Sequence, residues 1–303
     1  MKVELIGVPF TSAARPGGIA TAIRVLREAG LVESLSGRGE VRDGGDLELI
    51  EGSGVRGPSG LLNERALGRL VTATREAIAR SLDRGRLPLF VGGDCPVLLG
   101  GLAAGGDDHG NPGLLLVDGH EDAWPPERSD TGEASDSEVA IALGRVAGLP
   151  APLDDLVPLL APHALVMLGP RDRRELEAAS VDSLDGAVAL FRDDAAVRAS
   201  GAAVSARDAT ATLAVASSSF WLHVDLDVLR SDDFLAADYL QPGGLTWHEL
   251  LDIAGRARRP MLLRLQCRDL QPRPRPPAHI GRPARALPLR RYRRGERAPG
   301  HAG

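Results

Sequence analysis

The sequence predicts an α/β domain built on a mostly parallel β-sheet, and two observations support this fold class. Short apolar runs that are typical of buried strands alternate along the chain with longer amphipathic stretches that are typical of helices. Strands that alternate with helices in this way form parallel sheets with helices on both faces. No linker or internal repeat interrupts residues 1–267, which are therefore predicted to form one domain.

The first third of the chain already shows this alternation. The apolar run at residues 2–7 predicts a strand, residues 19–36 predict a helix, and the Gly- and Asp-rich stretch 37–60 predicts loop with one short strand. Residues 61–87 predict a long helix, because apolar residues recur in them at helical spacing. The short apolar run at 88–91 predicts a strand. The apolar face of that helix consists of Leu67, Leu70, Val71, Thr74, Ile78 and Leu82.

The same alternation continues to residue 265. Strands are predicted at 114–117, 164–168, 187–191, 220–225 and 261–265, and helices at 137–146, 153–160 and 205–216. Thr246 followed three residues later by Glu249 fits a capping box, which predicts a helix that runs to about Ala257.

Composition excludes several classes of protein. The formal net charge of −5 gives no general reason to expect nucleic acid or an anionic membrane as a partner. No apolar run approaches the roughly 20 residues that span a bilayer. Cys95 and Cys267 are too few for a disulfide framework, which indicates a reducing compartment, and we expect a cytoplasmic protein.

Potential metal ligands follow the strand predicted at 114–117. Asp118, His120 and Asp122 stand at every second position, so an extended chain would point all three side chains to one side. Three such groups side by side are costly unless something positive lies among them. A divalent metal ion is the simplest candidate.

A second strand end repeats this pattern. The run Phe220-Trp-Leu-His-Val-Asp-Leu-Asp227 ends in Asp225 and Asp227. Sites in parallel sheets form beyond the carboxyl ends of the strands, so both segments are expected at one edge. Five ligands from two strand ends are enough to bridge two metal ions. His223 is predicted to be a core histidine and His248 a solvated one.

Three blocks of the sequence resemble the ureohydrolase superfamily of arginases, agmatinases and formiminoglutamases. Gly92-Gly-Asp-Cys95 is similar to the family's Gly-Gly-Asp-His, and Asp118-Gly-His-Glu-Asp122 to its Asp-Ala-His-x-Asp. Asp225-Leu-Asp227, followed by Gly243-Gly-Leu-Thr246, is similar to its Asp-x-Asp and Gly-Gly-Leu-Thr. The blocks stand in the family's order and cover roughly residues 1–265. The resemblance implies a three-layer α/β/α fold with a parallel sheet of about eight strands.

The resemblance also implies a site and a reaction. Asp118 and Asp225 would bridge two Mn²⁺ ions per chain, His120 and Asp227 would complete one metal site, and Asp122 and Cys95 the other. A hydroxide that bridges the metals would attack the carbon of a linear guanidine or amidine and break its C–N bond. Such enzymes bind small guanidino or amidino substrates, often as homotrimers or hexamers. Asp94 would support the turn or a ligand from outside the metal shell.

The chain departs from the family at two places. Cys95 replaces a histidine ligand, and a soft thiolate favours Zn²⁺ or Fe²⁺ over Mn²⁺, although Cys95 can also simply pack at a strand end. The loop 131–136 lacks the histidine of the guanidine hydrolases; Glu133 or Asp136 could move protons there, or be solvated. We take Asp122 and Glu133 as the candidate catalytic residues. Arg15 and Arg171 are candidates for contacting a substrate carboxylate.

Two alternatives to a hydrolase remain open. One is a degenerate member of the family that binds metal or ligand without turnover. The other is a nucleic-acid binder that uses the C-terminal tail, residues 268–303, which has ten arginines and seven prolines but only Asp269 and Glu296 as acids.

The tail itself has two interpretations. Its composition is typical of a disordered segment. The alternative is a frameshift near Arg264, because codons chosen for residues 265–276 and read one base later can encode Phe-Ser-Ala-Ala-Thr-Tyr-Asn-Pro-Asp-Leu-Asp-Pro, a strand that runs into the family's Asn-Pro. The nucleotide sequence of the gene decides between them.

Overall fold

A computed structural model describes residues 2–14, 18–237, 241–257 and 261–266 of the chain. These residues belong to one unit, Met1–Gln271; a second unit, Pro272–Gly303, lies outside the described residues. The predictions for Arg15 and Cys267 and for the tail at 268–303 therefore concern residues outside this description, and they stay predictions.

Among the described residues, eight parallel strands form one sheet, as the fold class predicts. The strands are β1 Lys2–Gly7, β2 Glu40–Asp46, β3 Leu87–Val91, β4 Gly113–Val117, β5 Leu165–Gly169, β6 Leu190–Asp193, β7 Phe220–Asp225 and β8 Met261–Gln266. Their order is β2-β1-β3-β8-β7-β4-β5-β6, and every pairing between neighbours is parallel.

Helices cover both faces of this sheet. In β4, Leu114 and Leu116 belong to the core that packs against α3 (Glu64–Asp83) and α4 (Val97–His109). Leu115 and Val117 belong to the core that packs against α9 (Ala202–Ala216) and α10 (Trp247–Arg256). Alternate residues of a strand point to opposite faces, so the continuous apolar run fills two cores. The α-helices are α1 Ala22–Glu28, α2 Leu31–Ser36, α3 Glu64–Asp83, α4 Val97–His109, α5 Glu138–Ala142, α6 Leu153–Leu156, α7 Arg173–Ala178, α8 Asp194–Ser200, α9 Ala202–Ala216 and α10 Trp247–Arg256. The predicted three-layer α/β/α fold is confirmed.

Several helices differ from their predicted bounds. The helix predicted at 19–36 is divided, because Gly30 adopts a positive φ of 88° between α1 and α2. The helix predicted at 153–160 keeps only one turn, since Pro158 lacks the N–H that would continue it. In α3 the predicted apolar face is buried except for Leu82, which lies in the last turn and is 45% exposed.

Sheet order brings the predicted ligands together. β4 and β7 are direct neighbours, and β8 lies between β7 and β3. Because all strands run the same way, the segments after β3, β4 and β7 leave the sheet at the same edge. This edge carries Cys95, Asp118 and Asp225.

Candidate metal centre

Asp118 and Asp225 lie close together at the edge of the sheet. Ligand atoms of Cys95, Asp118, His223 and Asp225 are all within 4.8 Å of one another, and all four residues are buried. Asp118 directly follows β4, and Asp225 is the last residue of β7. Neighbouring parallel strands therefore position the two carboxylates.

Asp118, His120 and Asp122 also converge, with ligand atoms within 4.8 Å of one another. The sequence predicts that a continuing strand brings them together, but β4 ends at Val117. Asp122 instead adopts a positive φ of 48°, in a left-handed region that aspartate tolerates better than most residues. A loop, and not an extended strand, thus brings Asp122 to the other two side chains.

Asp227 is joined to the cluster through His120. Its Oδ2 lies 2.8 Å from Nδ1 of His120, and its Oδ1 accepts a hydrogen bond of 2.9 Å from the backbone N–H of Gly119. The backbone N–H of Asp227 in turn donates to Oδ1 of Asp225 at 2.8 Å. Asp227 and His120 therefore lie on the same side of the cluster.

Cys95 belongs to two ligand groups, and neither of them contains His120 or Asp227. Its thiol donates to Oδ2 of Asp225 at an S···O distance of 3.1 Å, and its sulfur is within 4.8 Å of ligand atoms of Asp122 and Glu138. The side chain of Asp94 accepts hydrogen bonds from the backbone N–H groups of Cys95, at 3.1 Å, and of Ser12, at 2.7 Å. Asp94 thus supports the turn that carries Cys95.

Glu133 belongs to none of the ligand groups found among the described residues. It precedes the 3-10 turn Ala134–Asp136, is partly buried, and donates its backbone N–H to Thr131 Oγ1 at 3.0 Å. Asp136, the other loop acid, accepts hydrogen bonds from Ser129 and Thr131 and so stabilises the loop. His248 is solvated, with 89% of its side chain exposed.

Three buried residues near the site were not predicted to take part in it. Glu138 lies with Cys95 and Asp122, although an acid in the first turn of a short helix usually faces solvent. His223 was predicted to be a core histidine, and it is buried with a ring nitrogen next to Cys95, Asp118 and Asp225. Asp172 follows β5 and accepts a hydrogen bond of 3.1 Å from the backbone N–H of Glu121. Asp172 could have been predicted in the same way as Asp118, because it also follows the carboxyl end of a parallel strand.

Arg171 packs behind the turn that carries the ligands. Its Nη2 donates to the backbone carbonyl of Asp227 at 2.6 Å, and a Cβ added at Gly119 would lie only 2.5 Å from its Nη1. Glycine at this place, where the ureohydrolase pattern has alanine, therefore leaves room for the guanidinium group. Contact of Arg171 with a substrate carboxylate stays a prediction.

Replacing Gly119 with alanine is expected to destabilise the protein by about 1–3 kcal/mol. The new Cβ would also lie 2.9 Å from Oδ1 of Asp227, so both Arg171 and Asp227 would have to shift. Chemical denaturation measures this loss. Gly106→Ala in α4 is the control, because a Cβ there meets nothing within 4 Å. Equal stability of the Gly119→Ala variant and the wild type would contradict the close packing.

Burial and mutual repulsion shift the ionisation of the cluster. The pKa values of Asp118, Asp122 and Glu138 are raised well above their usual range, first by burial and then by neighbouring carboxylates. Burial opposes the charged form of His120, but the charge and hydrogen bond of Asp227 outweigh it and raise the pKa to about 9. The pKa of Asp227 is lowered because His120 outweighs the effect of burial. Protons thus supply positive charge that a cation would otherwise provide.

The metal-free protein is therefore expected to lose stability as pH rises from 6.5 to 9. The folded pKa of His120 is raised from 6.5 to about 9, so its contribution is full below 6.5 and is lost as pH rises through 9. The raised carboxyl pKa values act in the same direction, while the lowered pKa of Asp227 matters only in acid. Denaturant unfolding at pH 6.5 and pH 9 measures the difference.

Added Zn²⁺ or Mn²⁺ should reverse this dependence on pH. Metal ligands must be deprotonated, so metal affinity rises with pH. The His120→Gln variant without metal is the control, since it should lose the part of the pH dependence that comes from the imidazole. A metal-free wild type that is equally stable at pH 6.5 and pH 9 would contradict the proposed role of protonation.

The cluster fits a divalent cation. Oδ2 of Asp118 is buried without a hydrogen-bond partner, and so are both carboxylate oxygens of Glu138. Buried polar groups without partners are costly, and carboxylates at close range repel. Carboxylate, imidazole and thiolate groups are ligands that Mn²⁺, Fe²⁺ and Zn²⁺ accept.

No described helix is long and apolar enough to cross a membrane.

Fold and site together define an α/β protein with a potential metal centre beyond the carboxyl ends of its parallel strands. A sequence model described as the arginase family matches residues 1–276, and the chain belongs to that family. The resemblance to ureohydrolases is thereby confirmed.

Known relatives agree with this assignment. Arginase from Bacillus caldovelox is 26% identical over 252 residues, which are 82% of this chain and 83% of that protein. Human arginase-1 is 27% identical over 175 residues, 56% of this chain, and the match spans about half of the human protein, 54%.

Solved structures show the same fold. The native Bacillus caldovelox arginase has a TM-score of 0.74 at 23% identity and covers 89% of this chain and 91% of its own. Formimidoylglutamase from Bacillus subtilis has a TM-score of 0.66 at 18% identity and covers 89% of this chain and 80% of its own. At such identity, the similarity concerns the fold and not the substrate.

Proposed function

We propose that this protein is a metal-dependent hydrolase that breaks a C–N bond in a small linear guanidine or amidine. The observation that carries the proposal is the convergence of Asp118 and Asp225 from neighbouring strands, within 4.8 Å of each other and of Cys95. Membership of the arginase family supports the reaction class. We also propose a cytoplasmic location and a homotrimer or hexamer.

The proposed metal ligands divide into two sets. Asp118, which belongs to two of the ligand groups among the described residues, and Asp225, which shares one of these groups with it, would contact both cations. His120 and Asp227, which contact each other at 2.8 Å, would complete one set, and Cys95 and Asp122 the other. Mn²⁺ is the ion that the family resemblance implies, while the thiolate of Cys95 favours Zn²⁺ or Fe²⁺. When bound, two such cations lower the pKa of a shared water molecule and polarise the carbon under attack.

The chain's own residues would bind substrate and move protons. Glu133, which is partly exposed on the loop 131–136, is one candidate for giving a proton to the leaving amine of a bound cationic substrate. Asp122 is the other candidate for this transfer.

A second function is a degenerate family member that binds metal or ligand without turnover. It is favoured by Cys95 in the place of a histidine ligand and by the lack of a histidine in the loop 131–136. Both departures affect groups that the chemistry needs.

Metal analysis of the purified protein, combined with activity assays, tests the proposal. The assays use arginine, agmatine, formiminoglutamate and guanidinobutyrate with added Mn²⁺, Zn²⁺ or Fe²⁺. Two metal ions per chain and release of urea or formamide are expected. Turnover of none of these substrates by a chain that holds two metal ions would contradict the hydrolase and support the degenerate member.

A further inference from the structure

We propose that Glu138 is a ligand of the metal ion on the Cys95 side of the cluster. The carboxylate would supply a hard donor at the site where this chain has lost the histidine of its relatives. The inference rests on the metal pair proposed above, and it adds a residue that the three family blocks do not contain.

The position of Glu138 brings its carboxylate to the site. Glu138 begins α5, directly after the loop that follows the Asp122 segment, and its side chain is fully buried. Its carboxylate lies within 4.8 Å of the sulfur of Cys95 and of a carboxylate oxygen of Asp122. Asp122 and Cys95 are the two residues assigned to this metal, and Glu138 shares one ligand group with both of them.

The carboxylate of Glu138 is buried without a hydrogen bond of good geometry among the described residues. Neither of its oxygens accepts such a bond, and both are shielded from solvent. The groups that share its ligand cluster are the carboxyl group of Asp122 and the thiol of Cys95. A buried charged group without a partner is strongly unfavourable, so this arrangement is more consistent with a site for a cation than with a structural contact.

Other buried glutamates show how this fold satisfies a structural carboxylate. Glu121 accepts hydrogen bonds of 2.6 Å from Ser183 Oγ and from the backbone N–H of Leu184. Glu4 pairs through its Oε1 with the guanidinium of Arg84 at 2.9 Å, although its Oε2 accepts no hydrogen bond. Both carboxylates thus have nitrogen or hydroxyl donors, whereas Glu138 is directed toward potential metal ligands.

The substitution Glu138→Gln tests the inference, because glutamine keeps the shape of glutamate and removes its charge. Calorimetric titrations with Zn²⁺ and, separately, with Co²⁺ measure metal binding by this variant. In each titration, one of the two metal sites should bind its ion at least about 100-fold more weakly than the same site of the wild type. A 100-fold loss is the upper range even for removal of an outer-shell partner. The melting temperature of the metal-free variant should rise above that of the wild type, since glutamine has no acidic group that must be kept protonated or buried as a charge among other carboxylates.

Glu4→Gln is the matched control. Glu4 is also a buried glutamate, but it lies on β1 and pairs with Arg84. This variant should melt at a lower temperature than the wild type without metal, because the guanidinium loses its partner, and it should bind both ions as the wild type does. The two glutamates are thus expected to change stability in opposite directions.

Unchanged affinity for both ions in the Glu138→Gln variant would overturn the inference. If that variant does not fold, a crystal structure of the wild type with Zn²⁺ decides: an oxygen of Glu138 about 2.0–2.2 Å from the metal supports it, and a carboxylate outside the metal shell overturns it. The variant could lose one metal ion while the wild type turns over no substrate. That result would support this inference and overturn the proposed hydrolase function.

Discussion

Replacing Asp118 with asparagine is expected to abolish binding of both metal ions and, with it, turnover. Asp118 belongs to two of the ligand groups among the described residues, one with Cys95 and Asp225 and one with His120 and Asp122. Asparagine has the same shape, so the backbone contact that Oδ1 makes with His120 can persist while the charge is lost. Affinity for each ion should fall by more than about 100-fold, beyond the loss that follows removal of an outer-shell partner.

The same variant should be more stable than the wild type when metal is absent. Burial, and then the charges of Asp122, Asp227 and Asp225, raise the pKa of Asp118 well above its usual value, which shows that its ionised form is unfavourable in the folded chain. A neutral amide removes that cost. Thermal unfolding with and without Zn²⁺ should therefore show a higher melting temperature without metal and little further rise with it.

Asp208→Asn is the control for a lost aspartate charge. Asp208 lies on α9, half exposed, and pairs with Arg192 at 2.7 Å, away from the ligand groups. This variant should bind both ions and keep the activity of the wild type. Two tightly bound metal ions in the Asp118→Asn variant would show that Asp118 does not bridge them, and the proposed arrangement of ligands would be wrong.

The sequence predicted the strands that carry the site because their apolar runs are short, continuous and end in acids. The run 114–117 is fully buried on both faces, and strands buried in this way are almost continuously apolar in parallel sheets. Nothing in these runs specifies strand order. Asp118 and Asp225 lie close together because β4 and β7 are neighbours in the sheet, and this order is visible only in the structure.

Residues that reach the site through loops or short helices were less predictable. Asp122 converges through a positive φ, which no periodic pattern reveals. Glu138 stands at the start of a helix of five residues, where an acid ordinarily interacts with the free N–H groups and with solvent. Its burial depends on the loop before it and on packing against Cys95, and these are tertiary contacts. The roles assigned to Asp122, Glu133 and the other site residues stay predictions.

Cys95→Ser is expected to change which metal ion the site prefers. Cys95 is 4% exposed and donates from its thiol to Asp225, and a serine hydroxyl can donate to the same oxygen, so the fold around it should persist. Serine replaces a soft ligand, which ionises to a thiolate, with a hard, neutral one. Affinity for Zn²⁺ at this site should therefore fall by about 100-fold or more, whereas affinity for Mn²⁺ should change little.

Competition between Zn²⁺ and Mn²⁺, followed by metal analysis of the dialysed protein, measures this preference. Cys267→Ser is the matched control, since it makes the same substitution at the other cysteine of the chain. Cys95→His, which restores the family's ligand, should shift the preference further toward Mn²⁺, because imidazole is less soft than thiolate. If the Cys95→Ser variant and the wild type select the same metal with the same affinity, Cys95 only packs at the end of its strand, and the departure from the family's histidine has no effect on the choice of metal.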